Sequence, residues 1–383
     1  MSGNDVFLVD GLRSPIGRGH PEKGIYRDLR ADELAVQTLG ALLARTGLEE
    51  PAIDDFYLGC VGQHLEQGKN LARLVLLLAG LPTTIPGVTV NRLCASSLTA
   101  LQMAADSIRA GTNELVLVGG VEHMGHVPMT ASTAYHEDLF RGAEFRWTNM
   151  GLTAEKLAGE RGVGREEQDA FALESNRRYF EAKRSGFFAR EIVPIRLPGG
   201  KTVVDDEEPR LSDLATLAAL HTPFLEGGTV TAATSSGVSD GACMAVLSGF
   251  EGLGRFARPP LARVLGTANV GLEPSLMGLG PVLAIRKLLS RAGMSIGDID
   301  LFEINEAFAV VILACQEELG IDPGRVNVHG GGVAIGHPLG ASGLRLAVTL
   351  AHALAAKGLR RGIASLCVGH GQGVAMMIET LED

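Results

Sequence analysis

The stretch Asn91-Arg92-Leu93-Cys94-Ala95-Ser96-Ser97 leaves one cysteine where a strand pattern gives way to a helix pattern, in the first helical turn. Unsatisfied backbone N–H groups and the positive end of a helix dipole favour thiolate there, for a thiol whose pKa starts near ~8.5. Two readings fit Cys94: a nucleophile prepared for a carbonyl carbon, and a small buried filler, the commoner fate of a free cysteine.

Three further segments set polar residues among glycines or at a predicted strand end: Asn305-Glu306-Ala307-Phe308, residues 330–343 with His337, and Cys367-Val368-Gly369-His370-Gly371. Each follows a predicted strand, the edge at which ligands bind in α/β sheets. If these loops converge, Cys94 attacks a carbonyl and His337 takes its proton or hydrogen-bonds the oxygen. Cys367 then moves the acidic hydrogen beside a thioester carbonyl, and the N–H groups of Cys94 and Gly369 stabilise an oxyanion. Each group also has a plain structural reading. Asn305 and Glu306 can cap the next helix, the glycines around His337 can serve a turn, and Cys367 can fill the core.

The elements that must bring the loops together show an internal repeat. Leu42-Leu43-Ala44-Arg45-Thr46-Gly47-Leu48 returns as Leu288-Leu289-Ser290-Arg291-Ala292-Gly293-Met294, and Ile53, Asp54 and Phe56 fall without a gap on Ile299, Asp300 and Phe302. A looser echo matches strand 87–90, the Cys94 loop and helix 95–110 with strand 326–328, the His337 loop and helix 340–356. Leu98, Leu101, Ala105 and Ile108 keep helical spacing, as do Leu344, Val348, Ala351 and Ala355. Segments 115–118 and 363–367 are continuous apolar runs, as in sheets covered on both faces. The rhythm breaks between Glu122 and Gly237, where a charged helix is predicted over 165–184. This is read as an insertion in the first half, rejoined by a strand at 230–233 and the segment 235–247, before Arg263 opens the second half.

Composition bounds the function. The chain has 383 residues, 46% hydrophobic and 20% charged, with a formal net charge of −10. No basic block is present, which argues against a nucleic-acid or anionic-membrane surface. The five cysteines are odd in number and contain no C-x-x-C pair, so neither a disulfide framework nor a zinc site is expected, and a reducing, cytoplasmic setting is. Apolar runs such as 308–315 are too short to insert in a membrane. His123 and His126 form a histidine pair without a third ligand in the sequence, and loop roles are expected for them.

Together these segments resemble the thiolase family from end to end. Asn91-Arg92-Leu93-Cys94-Ala95-Ser96 resembles its nucleophile loop, Asn305-Glu306-Ala307-Phe308 its N-E-A-F box, Gly336-His337-Pro338 its G-H-P box and Cys367-Val368-Gly369 its C-x-G loop. The resemblance implies that Cys94 becomes acylated, that His337 activates it and helps form one oxyanion hole, that Asn305 holds a water there, and that Cys367 is the acid/base. A second oxyanion hole would use the N–H groups of Cys94 and Gly369. Ser236 matches a serine that contacts the pantetheine of coenzyme A, and Met150 a methionine that lines the same tunnel. Neither a metal nor a permanently bound cofactor is implied; coenzyme A is a co-substrate.

The implied fold is a duplicated five-layer α/β/α/β/α arrangement with an inserted loop domain. Residues 1–122 with 238–258 form the first core half, 123–237 the insertion, which carries acyl-CoA binding and oligomer contacts, and 259–383 the second core half. The implied reaction is thiolysis of a 3-ketoacyl-CoA by coenzyme A; run backward, the same site performs a Claisen condensation. The strings Tyr57-Leu58-Gly59-Cys60, Leu65-Glu66-Gln67-Gly68 and 120–129 are most similar to thiolase subunits of bacterial fatty-acid β-oxidation complexes. That implies a homodimer or tetramer and a hydratase/dehydrogenase partner subunit. An acetoacetyl-CoA thiolase and a catalytically idle acyl-CoA-binding subunit are the rival readings. The family's biosynthetic members carry a histidine where this chain has Asn149. His370 replaces a common glycine, and His221 a common arginine. A decarboxylating ketoacyl synthase is disfavoured, because Asn305 stands where that group has a second histidine.

Overall fold

The computed structural model describes residues 5–48, 52–131 and 133–381. Strands are β1 (Phe7–Arg13), β2 (Gly17–Arg18), β3 (Asp55–Gly59), β4 (Val88–Val90), β5 (Leu115–His123), β6 (Ile195–Arg196), β7 (Thr202–Val203), β8 (Ser239–Ser248), β9 (Ala262–Gly271), β10 (Leu301–Ile304), β11 (Arg361–Val368) and β12 (Gln372–Glu379). Helices are α1 (Ala31–Thr46), α2 (Leu71–Leu78), α3 (Ser96–Arg109), α4 (Met150–Arg161), α5 (Arg165–Arg184), α6 (Leu214–Ala218), α7 (Gly280–Ala292), α8 (Ala309–Leu319), α9 (Gly332–Ile335) and α10 (Leu339–Lys357).

The repeat read from the sequence is a structural duplication. In the first half the strand order is β4-β3-β5-β8-β1, and in the second β10-β11-β12-β9. β3 lies parallel to β5 as β10 does to β11, and the two following pairings in each half are antiparallel. Matching local chemistry fixes the two halves alike. α1 and α7 end on Gly47 (φ 65°) and Gly293 (φ 64°), left-handed caps that cost a glycine least. Asp54 then accepts the N–H groups of Glu114 and Leu115, while Asp300 accepts those of Arg360 and Arg361, both acceptor distances lying between 2.8 and 3.0 Å. The two sheets also meet edge to edge through a short antiparallel contact of β1 with β9.

Apolar burial sorts into three clusters, as five layers require. One packs α1 and α2 on the first sheet and another packs α7 and α8 on the second, while the largest surrounds α3 and α10 between the sheets. α10 is buried on every side from Gly340 to Leu354 rather than along one stripe, and Ala355, expected on its buried face, is exposed. It alone among the described residues is long and apolar enough to cross a membrane, but it lies inside the protein as the middle layer.

Two sequence expectations fail locally. Residues 326–328 supply only a single bridge, Val326 to Phe302, because Asn327 takes a positive φ (48°) to aim its side chain at Ile304 and Glu306. Residues 230–233 are not a strand: the hydroxyls of Thr231, Thr234 and Ser235 bond to neighbouring backbone and fold the segment into turns. The charged helix is found at the predicted bounds, as α5.

The central helices can share one layer only because small residues let them touch. A Cβ built on Gly120 of β5 would collide with the Gly340 carbonyl and would sit 2.6 Å from Ser97 Cβ and 2.8 Å from Ala341 Cα. One on Gly343 would sit 2.7 Å from the backbone N of Leu98, and Leu344 N–H donates to Ser97 Oγ (2.9 Å). Gly120→Ala is therefore expected to lose about 1–3 kcal/mol, read as a lower urea midpoint. An unchanged midpoint would show that this junction is not tight.

Candidate active site

The crossing of α3 and α10 sets the Cys94 and His337 loops at the same end of the central layer. Cys94 follows a backbone turn in which Leu93 is forced to φ 47°. Asn91 Oδ1 accepts Leu93 N–H (2.9 Å), and Ser96 Oγ both accepts Arg92 N–H (3.0 Å) and donates to Leu93 O (2.6 Å). A non-glycine residue in this region is held there by its surroundings, a common feature of functional loops.

The Cys94 sulfur lies under two backbone donors, the N–H groups of Gly369 and of Cys94 itself. They pull its pKa down, but burial outweighs them, with a smaller upward push from the Glu122 carboxylate, and the thiol is raised to about 11. This departs from the expectation of a lowered thiol pKa: Cys94 precedes the N-cap of α3 by one residue, and the donors, from its own N–H and from Gly369 after β11, are outweighed by partial burial of the side chain. Cys367, next to last in β11, is close enough to Cys94 and Cys315 for their charges to raise its own thiol further beyond what burial does. The two sulfurs thus face one electrostatic environment, each protonated at rest.

His337 is buried and held in one tautomer. Its Nδ1 lies 2.6 Å from Ser342 Oγ, whose single proton goes to Pro338 O (2.9 Å), so Nδ1 donates. Nε2 then accepts from Asn305 Nδ2 at 3.2 Å. Burial, assisted by Arg345, lowers this imidazole to about 3. Asn305 Oδ1 is buried without a partner, which fits the water-holding role that the resemblance implies.

Glu306 does not cap α8. It accepts from Ser175 Oγ (2.7 Å), Asn327 Nδ2 (2.9 Å) and Val333 N–H (3.0 Å), tying α5 to the glycine loop that carries His337. Glu122 does the corresponding work at the end of β5. It accepts the N–H groups of Val61, Gly62 and Gly340 (2.8–3.0 Å) and one from Gln67 (3.1 Å). Ser175, Ser342 and the bracing roles of Glu122 and Glu306 escaped the sequence reading. The available signal was an acid inside or beside an apolar strand run, which is rarely buried unless fully partnered.

Ser236 donates to Ala307 O (3.2 Å), against the N-E-A-F segment, and the next residue's carbonyl accepts His337 N–H. Met150 opens α4 behind Asn149, whose side chain caps the helix, and its Sδ is 3.7 Å from the position of a Cβ on Gly369. The neighbouring Gly151 lies against the ring of Phe224, which lines an open groove of about 560 Å³ with Arg165 and His221. His370 takes φ 64° and turns its ring to the insertion, edge-on to Tyr135 (5.7 Å) and Trp147 (5.2 Å).

Fold and sequence together define a duplicated α/β protein of the acyltransferase class, and the chain belongs to the thiolase family. Residues 6–249 match the thiolase N-terminal domain and 258–380 the thiolase C-terminal domain. Among relatives, the chain is 44% identical to the 3-ketoacyl-CoA thiolase of Citrobacter koseri and 45% to that of Escherichia coli O1:K1, covering 98% of this chain and 99% of each relative. Among solved structures, human mitochondrial 3-ketoacyl-CoA thiolase superposes with a TM-score of 0.90 at 35% identity, and Bacillus anthracis acetyl-CoA acetyltransferase with 0.89 at 39%. Each match covers 98% of this chain and 99% of the other. The human enzyme has also been solved in complex with CoA, at a TM-score of 0.90 and 35% identity, covering 99% of this chain and 98% of that one.

A thiol raised to about 11 makes a pH prediction. Alkylation of Cys94 by iodoacetamide, followed on its own peptide by mass spectrometry, should climb about tenfold per pH unit above neutrality without levelling before about pH 11. A plateau near ~8.5, the range of a free thiol, would contradict the dominance of burial.

Proposed function

We propose that this chain is an acyltransferase of the 3-ketoacyl-CoA thiolase type, working through Cys94. The observation that carries the reading is the Cys94 sulfur set under the Gly369 N–H and within electrostatic reach of Cys367, at the same end of the central layer as the His337–Asn305 pair. The names of the relatives support the same substrate class.

The chemistry follows from the resting protonation states. With thiol and imidazole both neutral, a free thiolate–imidazolium pair is unfavourable, so the Cys94 proton passes to His337 Nε2 as sulfur attacks C3 of the ketoacyl chain. The oxyanion formed at C3 is met by preorganised donors. Cleavage of the C2–C3 bond leaves its electron pair on C2, and Cys367 protonates that carbon to release acetyl-CoA. The Cys367 thiolate then takes the proton of an incoming coenzyme A thiol, which attacks the acyl-Cys94 thioester. Cys94 leaves as sulfur and recovers its proton from His337. Claisen condensation is the reverse of these steps.

Ser236 and Met150 are assigned to the pantetheine channel, and the groove beside Phe224 and Arg165 to the rest of the coenzyme. The insertion over 123–237 carries this binding surface. An oligomer of two or four copies is supported by the exposed edge strand β4, with Val88, and by Leu74, Leu77 and Leu78 on the adjoining α2, each 37–56% exposed. A hydratase/dehydrogenase subunit as partner rests on the sequence resemblance. A cytoplasmic location agrees with five free cysteines.

Incubation with acetyl-CoA should place the acetyl group on Cys94, as located by peptide mass spectrometry. Cys94→Ala should abolish that adduct. Cys367→Ala should still acylate while losing condensation and α-proton exchange by about 10²- to 10⁴-fold. An adduct elsewhere, or normal condensation in Cys367→Ala, would reject the assignment. Tight coenzyme A binding without ketoacyl-CoA cleavage would favour the idle-subunit reading.

A further inference from the structure

A second cluster of chemistry-bearing side chains sits at the far side of Glu122, outside the acyl-transfer site. His123, the last residue of β5, and His126 stack their rings with centroids 3.9 Å apart and 17° between planes. Glu66 arrives from the single turn Leu65–Gln67. Asp240 arrives from the start of β8, directly opposite His123 in the strand register.

Both imidazoles are oriented from behind. Tyr26 O lies 3.2 Å from His123 Nε2, and Arg27 O lies 2.8 Å from His126 Nε2. A carbonyl oxygen only accepts, so each Nε2 carries a proton and donates it. The Nδ1 atoms therefore turn toward the carboxylates, His126 Nδ1 being 3.0 Å from Glu66 Oε1 and His123 Nδ1 3.4 Å from Asp240 Oδ1. Ligating histidines are oriented in this way by a remote N–H on a backbone carbonyl; here His126 Nδ1 carries a proton toward Glu66, and an ion would take that proton's place. One ligand atom each from Glu66, His123 and His126 lies within 4.8 Å of the others. Asp240 is fully buried, and its Oδ2 has no hydrogen-bond partner.

We propose that Glu66, His123 and His126, with Asp240 as the adjoining carboxylate, form a structural site for a divalent ion of the Zn²⁺ class. Mixed imidazole and carboxylate donors suit that ion better than Mg²⁺ or Ca²⁺, which take oxygen. Binding replaces the proton shared by His126 Nδ1 and Glu66, releasing it to solvent, and opens the bond from His126 N–H to His123 Nδ1 (3.1 Å). The side chain of His126 is 24% exposed, which provides an entry path. The site joins the turn at Glu66, the 26–27 backbone and the two strand ends where the insertion departs and returns. Gln67 continues the link by bonding His123 N–H and Glu122.

The test uses the full chain, stripped with a chelator and then given Zn²⁺ alone. Native mass spectrometry should find one tightly held Zn²⁺ per chain, Co²⁺ in its place should show visible ligand-field bands, and thermal unfolding should move upward. His126→Ala and Glu66→Gln should each weaken retention at least about 100-fold while Cys94 still becomes acetylated by acetyl-CoA. Metal content and unfolding temperature equal in wild type and His126→Ala would overturn the site, whatever the outcome of the acylation experiments.

Discussion

Two sheets can share a single layer of helices only if those helices lie against each other and against both sheets at once. Here that depends on the absence of side chains at Gly120, Gly340 and Gly343 and on the small Ser97. The consequence for chemistry is positional. Each central helix is preceded by a loop after the strand side of its own half, so helices that meet near their N-termini bring those two loops together. The loops that carry Cys94 and His337 lie at one end of the layer because α3 and α10 meet near their starts, not because anything in either loop seeks the other. Glu122 reinforces the same point by binding Gly340 N–H and the 61–62 backbone with one buried carboxylate.

The interior that makes the layer possible also sets the protonation states. Burial raises the Cys94 and Cys367 thiols and lowers the His337 imidazole, so these three side chains are uncharged at rest. In the proposed mechanism, attraction for a negative transition state then comes from N–H dipoles that are already in place, and these act strongly in a low-dielectric site. The bracing acids tell a complementary story. Glu122 and Glu306 are also pushed upward by burial, but each accepts several N–H or O–H groups that pull the other way. Their role is to fix loops at the cost of desolvation, which fully partnered carboxylates can offset. His337 has a linked effect on stability. Because its folded pKa lies below the ordinary histidine value, the unfolded chain takes up a proton first as pH falls from ~6.5 toward 3, and this residue's contribution therefore destabilises the fold progressively over that range.

Much of this was legible in the sequence because it is local or repeated. The equal spacing of Gly47 and Asp54 with Gly293 and Asp300 exposed the duplication, and residue spacing located α3 and α5 closely. What escaped depends on partners far away in the chain. Nothing near Glu306 announces Ser175, and nothing near Cys94 announces that burial outweighs the N–H donors facing its sulfur. The apolar face assigned to α10 was too narrow, since a helix between two sheets has no solvent side. Val230 and Thr231 are β-favouring types, yet the hydroxyls of Thr231, Thr234 and Ser235 find backbone partners sooner than a sheet edge does.

The insertion completes the argument, because it is bonded into the core rather than appended to it. Arg13, at the end of β1, is buried and pairs with Glu191 (2.6 Å) and Asp206 (2.7 Å), while its backbone bonds residues 191 and 193. Thr349 of α10 donates to the same Glu191 (2.9 Å), so the insertion reaches the central layer directly. At the opposite end Tyr135 and Trp147 hold His370, one residue from the Gly369 donor. Residues 124–238 therefore touch both the central layer and the turn between β11 and β12.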